Sequence, residues 1–70
     1  MKDLPYTIIT KKLGYAAEKW CNNNLGERYF AIDRKTGNWT CFYASDIDRK
    51  SYRWHFRNEK DAFWFSLTWA

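Results

Sequence analysis

Five tryptophans, five tyrosines and five phenylalanines stand in a chain of seventy residues. A ring buries about 150–250 Å2, and a chain this short lies near the lower limit for folding without disulfide or metal staples. The rings therefore have to build the core. They also lie on strands and towards the C-terminus, where not every ring points inward, and Trp, Tyr and Arg are the residues most enriched in interface hot spots. The composition therefore also supplies a binding surface.

The spacing of the apolar residues predicts the elements. Residues 6–10, Tyr-Thr-Ile-Ile-Thr, are β-branched and aromatic and follow Pro5, which suits a first strand starting at a sheet edge. Leu13, Ala16, Ala17, Trp20, Cys21 and Leu25 form one face of an amphipathic helix over 13–25. Gly26 follows where a left-handed C-terminal cap is wanted. Residues 28–33 and 39–44 read as strands joined by Arg34-Lys35-Thr36-Gly37-Asn38, a hairpin loop in which Gly37 takes a positive φ. Tyr52, Trp54 and Phe56 then alternate with Arg53, His55 and Arg57, giving a strand with one aromatic and one cationic face.

Asn58 reads as an N-cap, with Glu59 and Asp61 in the first turn of a helix. Beyond it, Ala62, Phe65 and Trp69 fit helical spacing, and Phe63, Phe65, Leu67 and Trp69 fit a strand. A short helix from about Glu59 through Phe65 running into a short terminal strand satisfies both. The order β-α-β-β-β-α predicts a single α+β domain over residues 1–70 in two layers. An antiparallel sheet of about four strands carries the main helix (13–25) on one face and a short C-terminal helix beside it, with ferredoxin-like features.

The formal charge is +4, but acidic residues interrupt every basic cluster, so nucleic acid or an acidic protein surface is permitted as partner and neither is demanded. Cys21 and Cys41 are too few and too far apart for a disulfide framework or structural zinc, and His55 adds only a third soft ligand without metal spacing. We therefore expect no metal, no cofactor and two buried free thiols. No stretch approaches the apolar length of a membrane span or signal peptide, so a cytoplasmic protein without membrane association is expected. The small core leaves both monomer and homodimer open.

Ala-Ala-Glu-Lys-Trp-Cys (16–21), Gly-Asn-Trp (37–39) and Phe-Arg-Asn-Glu-Lys-Asp-Ala-Phe-Trp-Phe-Ser-Leu-Thr-Trp (56–69) together resemble small uncharacterised accessory proteins of tailed bacteriophages. The resemblance spans most of the chain and rests on packing motifs. It implies a setting, the cytoplasm of an infected bacterium, and carries no catalytic or ligand-binding residue across.

Arg53, His55 and Arg57 are the first binding candidates, because phosphate or acidic-protein contacts need cations and single-stranded nucleic acid needs rings as well. Strict alternation separates the two residue types, which equally describes an aromatic core backed by a solvated basic face. Arg34 and Lys35 with Asn38, joined by Lys11 and Lys12 if the fold brings them together, form a second candidate patch or a solvated turn. Enzymatic readings are poor. His55 has no nucleophile partner, since Cys21 belongs to the buried helix face and Ser51 and Ser66 lie in no motif. Asp46-Ile47-Asp48 lacks the glycine-containing spacing of a cation loop. The expected function is a non-enzymatic accessory protein that binds and modulates a host or phage protein by occupying a surface. A nucleic-acid-binding module is the alternative and a structural virion component the third reading.

Overall fold

The computed structural model describes residues 2–30, 36–47 and 50–70. Its elements run β1 (Tyr6–Lys11), α1 (Tyr15–Leu25), β2 (Trp39–Tyr43), β3 (Ser51–Phe56) and α2 (Glu59–Trp69). The most sharply alternating segment, β3, is the centre of a three-stranded antiparallel sheet of order β1-β3-β2. In register, Tyr6 and Trp39 flank Phe56, Ile8 and Cys41 flank Trp54, Thr7 and Thr40 flank His55, and Ile9 and Phe42 flank Arg53.

Alternation sends Trp54 and Phe56 to the face that both helices cover. There Ala17, Cys21 and Leu25 of α1 and Ala62 and Phe65 of α2 join Trp39, Cys41, Trp54 and Phe56 in one buried cluster. Phe65 is the joint between layers, with its ring centroid 4.7 Å from that of Trp54 and 5.1 Å from that of Phe56. The indole N–H groups of the two core tryptophans are satisfied: Trp54 donates to Thr10 Oγ1 at 2.9 Å and Trp39 to Gly26 O at 2.9 Å. These two rings therefore enter the core with their donors paired, whereas Trp69, packed against the same cluster, keeps a buried indole N–H without a hydrogen-bond partner among the described residues.

The α+β class and the antiparallel sheet are as expected, and several details differ. The described residues form three strands where about four were expected. From the segment 28–33 they show a parallel bridge between Arg28 and Trp39 and a second bridge residue at Phe30, while residues 31–35 lie outside the described set. Gly37 does not have a positive φ; it is needed for close approach to Tyr29 instead. The first helix begins at Tyr15 rather than 13, where Gly14 at φ 73° breaks the helical path. Ala16 is exposed and Trp20 half-buried, so the inward stripe is Ala17, Cys21 and Leu25. Gly26 has a positive φ of 91°, but its ψ of −162° is extended and not the left-handed cap. Finally, α2 continues to Trp69 with Ala70 N–H donating to Ser66 O, so no terminal strand forms. Phe63 and Leu67, which strand alternation would bury, are exposed on its outer side.

Candidate functional site on the helix-free sheet face

The side of the sheet opposite the helices carries Thr7, Ile9 and Lys11 from β1, Ser51, Arg53 and His55 from β3, and Thr40 and Phe42 from β2. Two rows across it differ in character. The row Thr7, His55, Thr40 is largely sealed, with His55 and Thr40 buried. His55 Nδ1 lies 3.2 Å from Thr7 Oγ1, and its ring centroid lies 6.0 Å from that of Phe42. Burial, and after it the positive charge of neighbours including Arg53, lowers the pKa of His55 below its ordinary value, which favours the neutral imidazole.

The second row, Ile9, Arg53, Phe42, is open. Ile9 is 49 % and Phe42 51 % exposed, one on each side of the central arginine. Arg53 Nη2 pairs with Asp46 Oδ2 at 3.0 Å, and that hydrogen bond holds the Asp46 carboxyl below its usual pKa. An ion pair this exposed is readily exchanged for a partner's carboxylate.

The expected cationic strip is therefore divided. Arg53 is in the open row and His55 is buried beside it. Arg57 lies beyond the end of β3, where its Nε and Nη2 both donate to Gly37 O, at 3.2 and 2.9 Å, and its guanidinium stands 6.0 Å from the Tyr29 ring centroid. Arg34 and Lys35 lie outside the described residues. Sequence reasoning missed Ile9 and Phe42, which become neighbours of Arg53 only through strand order. It also missed Arg28, whose guanidinium reaches Thr40 Oγ1, Glu18 Oε1 and Cys41 O at 3.1, 3.3 and 2.6 Å, tying the chain beside β2 to α1.

Nucleophilic chemistry finds no support in the thiols. Both cysteines are buried, and burial, the first cause in each case, pushes the pKa of Cys21 up to about 12 and that of Cys41 up to about 11. Neither should react with a thiol reagent at neutral pH until the protein is denatured, because only the thiolate is nucleophilic. Rapid labelling of Cys21 in the native protein, followed by mass spectrometry, would contradict this placement.

Among the described residues no group of three or more His, Cys, Asp or Glu side chains could hold a metal ion, and no helix is long and apolar enough to cross a membrane. No protein-family model, curated protein or solved structure matches this chain.

Proposed function

We propose that the chain is a non-enzymatic protein-binding module, an accessory protein of the phage type that its sequence resembles, modulating a host or phage protein by occupying a surface on it. The observation that carries this reading is the open row itself: two half-exposed apolar side chains flanking an exchangeable arginine on a sheet face that no described helix covers. Apolar contact gives such a row its affinity, and the arginine selects an acidic group opposite it. Of the three residues first proposed for phosphate contact, Arg53 alone is in the row, and it is flanked by one ring where single-strand binding calls for several.

The test is affinity capture from bacterial lysate with and without nuclease, followed by direct titration of the retained protein. The expected result is a protein partner that survives nuclease and whose affinity falls roughly 30-fold for Phe42→Ser, the scale of losing a hot-spot contact of about 2 kcal/mol. The melting temperature should hardly move, since Phe42 lies outside the core cluster. Sub-micromolar oligonucleotide binding, with a salt slope that falls in magnitude by roughly one in Arg53→Gln, would instead establish the nucleic-acid reading.

A further inference from the structure

We propose that β1 is a self-pairing edge through which two copies of this chain join into a continuous six-stranded sheet, with the two α2 helices packed side by side over the seam. Among the described residues β1 has β3 as its only strand neighbour. The phase of its free edge follows from the hydrogen bond of Lys12 N–H to Lys50 O at 2.7 Å. That bond turns the even-numbered residues of β1 towards β3, so Thr7, Ile9 and Lys11 aim their backbone N–H and C=O groups outward.

A second copy related by a two-fold axis along the sheet normal pairs antiparallel, and that symmetry keeps all helices on one side. One register fits the chemistry of this edge. With Ile8 opposite Ile8 of the second copy, Thr7 faces the other copy's Ile9, and Pro5 faces its Lys11. Pro5 has no N–H to offer, and the Lys11 carbonyl it would have served already accepts from Thr10 Oγ1 at 2.7 Å. The missing donor thus meets an acceptor that needs none, and about six inter-copy N–H···O bonds remain from Thr7, Ile9 and Lys11 of both chains. No like charges stand opposite each other in this register.

Above the edge, a cleft of about 610 Å3 lies between β1 and α2, bordered by Pro5, Tyr6, Ile8, Ala62, Phe63 and Ser66. Phe63 is 65 %, Leu67 72 % and Tyr6 39 % exposed. Because α2 packs over both β1 and β3, a strand spacing of about 4.8 Å sets the two α2 axes about 10 Å apart, the distance at which helices pack. These exposed apolar parts come to roughly 300 Å2 per copy at ring areas of about 200 Å2. Two copies supply roughly 600 Å2, and with an apolar share of about 60 % the interface totals about 1,000 Å2, the threshold for a specific though modest dimer.

Sedimentation equilibrium of the full chain from about 1 to 200 μM brackets the micromolar dissociation constant of so small an interface. The expected species at the upper end has twice the chain mass. Phe63→Lys combined with Leu67→Lys should weaken the dimer at least tenfold while leaving the melting temperature of the dilute protein unchanged, because both side chains are exposed. Ile9→Pro, which removes an outward N–H and no β1–β3 bond, should do the same. Ile8→Cys should form a disulfide-linked dimer on mild oxidation, since opposed residues at the axis bring their Cα atoms within disulfide reach. A wild-type chain that is monomeric at the highest concentration overturns the proposal, as does a dimer that withstands the double lysine variant. Phe63, Leu67 and Ile8 lie outside the Ile9, Arg53, Phe42 row, so the double lysine and Ile8→Cys outcomes do not depend on a partner binding that row, whose Phe42→Ser test reads a different surface.

Discussion

Trp54→Ala is expected to leave the chain largely unfolded at room temperature. Trp54 is fully buried on the central strand, with its ring centroid 6.1 Å from Trp39, 4.7 Å from Phe65 and 6.2 Å from Tyr52. Truncating a buried Trp or Phe costs about 3–5 kcal/mol, because lost transfer energy and an unfilled cavity add. A seventy-residue domain at about 0.05–0.15 kcal/mol per residue has roughly 4–10 kcal/mol in all. The variant also strips buried Thr10 Oγ1 of the indole donor it now holds at 2.9 Å, which adds a desolvated acceptor to the loss. Trp20→Ala should cost less, about 1–2 kcal/mol by the same area argument, since Trp20 is half-buried and leans on Trp64 with centroids 4.9 Å apart. Urea titrations followed by far-ultraviolet circular dichroism separate the two. A Trp54→Ala midpoint close to that of the wild type, or a larger loss at Trp20, would refute this ranking of the core.

The contrast between these tryptophans shows what a sequence of this kind discloses. Period-two alternation in β3 is strong enough to locate the central strand and its inward rings, because a half-buried strand has only two faces to choose between. A helix offers a graded stripe instead, and spacing alone could not tell that α1 turns Ala17, Cys21 and Leu25 inward while leaving Ala16 out and Trp20 at the margin. The same limit governs α2. The segment satisfies two periodicities, a helical one through Ala62, Phe65 and Trp69 and a strand one through Phe63, Phe65, Leu67 and Trp69, and the choice between them falls to Ala62 and Phe65 docking on the sheet.

The open row was illegible for a different reason. Ile9, Arg53 and Phe42 are far apart in the chain, and only the order β1-β3-β2 brings them side by side. Arg53 was legible as a cation on a strand, but its apolar neighbours come from strands whose pairing the sequence does not print. The division of Arg53 from Arg57 has the same origin. β3 ends at Phe56, and Arg57 is taken up by the carbonyl of Gly37 across the end of the sheet.

Gly37→Ala is the second large effect, and its cause is space, with no positive φ involved. A Cβ built at Gly37 would collide with Tyr29 N and stand 2.5 Å from Tyr29 Cα and 2.6 Å from the Arg28 carbonyl carbon. These are backbone atoms, so no rotamer change relieves the contact. They are held where they are: Tyr29 N–H donates to Trp39 O at 2.7 Å, the Tyr29 hydroxyl donates to Asp3 at 2.8 Å, and Arg57 clamps Gly37 O from the other side. Overpacking a closed site costs about 1–3 kcal/mol, and displacing two paired backbone segments should reach or exceed the upper figure. Gly26→Ala is the control, because Gly26 has a positive φ of 91° but nothing within 4 Å of its would-be Cβ. Backbone strain alone then acts, and in this positive-φ, extended-ψ region that glycine alone adopts readily it comes to about 1–3 kcal/mol. A second readout connects the clash to the candidate site. Arg28 Nε donates to Thr40 Oγ1, the buried β2 member of the sealed row, so pushing the segment around Tyr29 away from β2 should open that end of the row, and the pKa of His55, lowered chiefly by burial, should rise towards its ordinary value in an NMR titration. A Gly37→Ala protein no less stable than Gly26→Ala, with His55 titrating as in the wild type, would show that the two segments do not approach so closely.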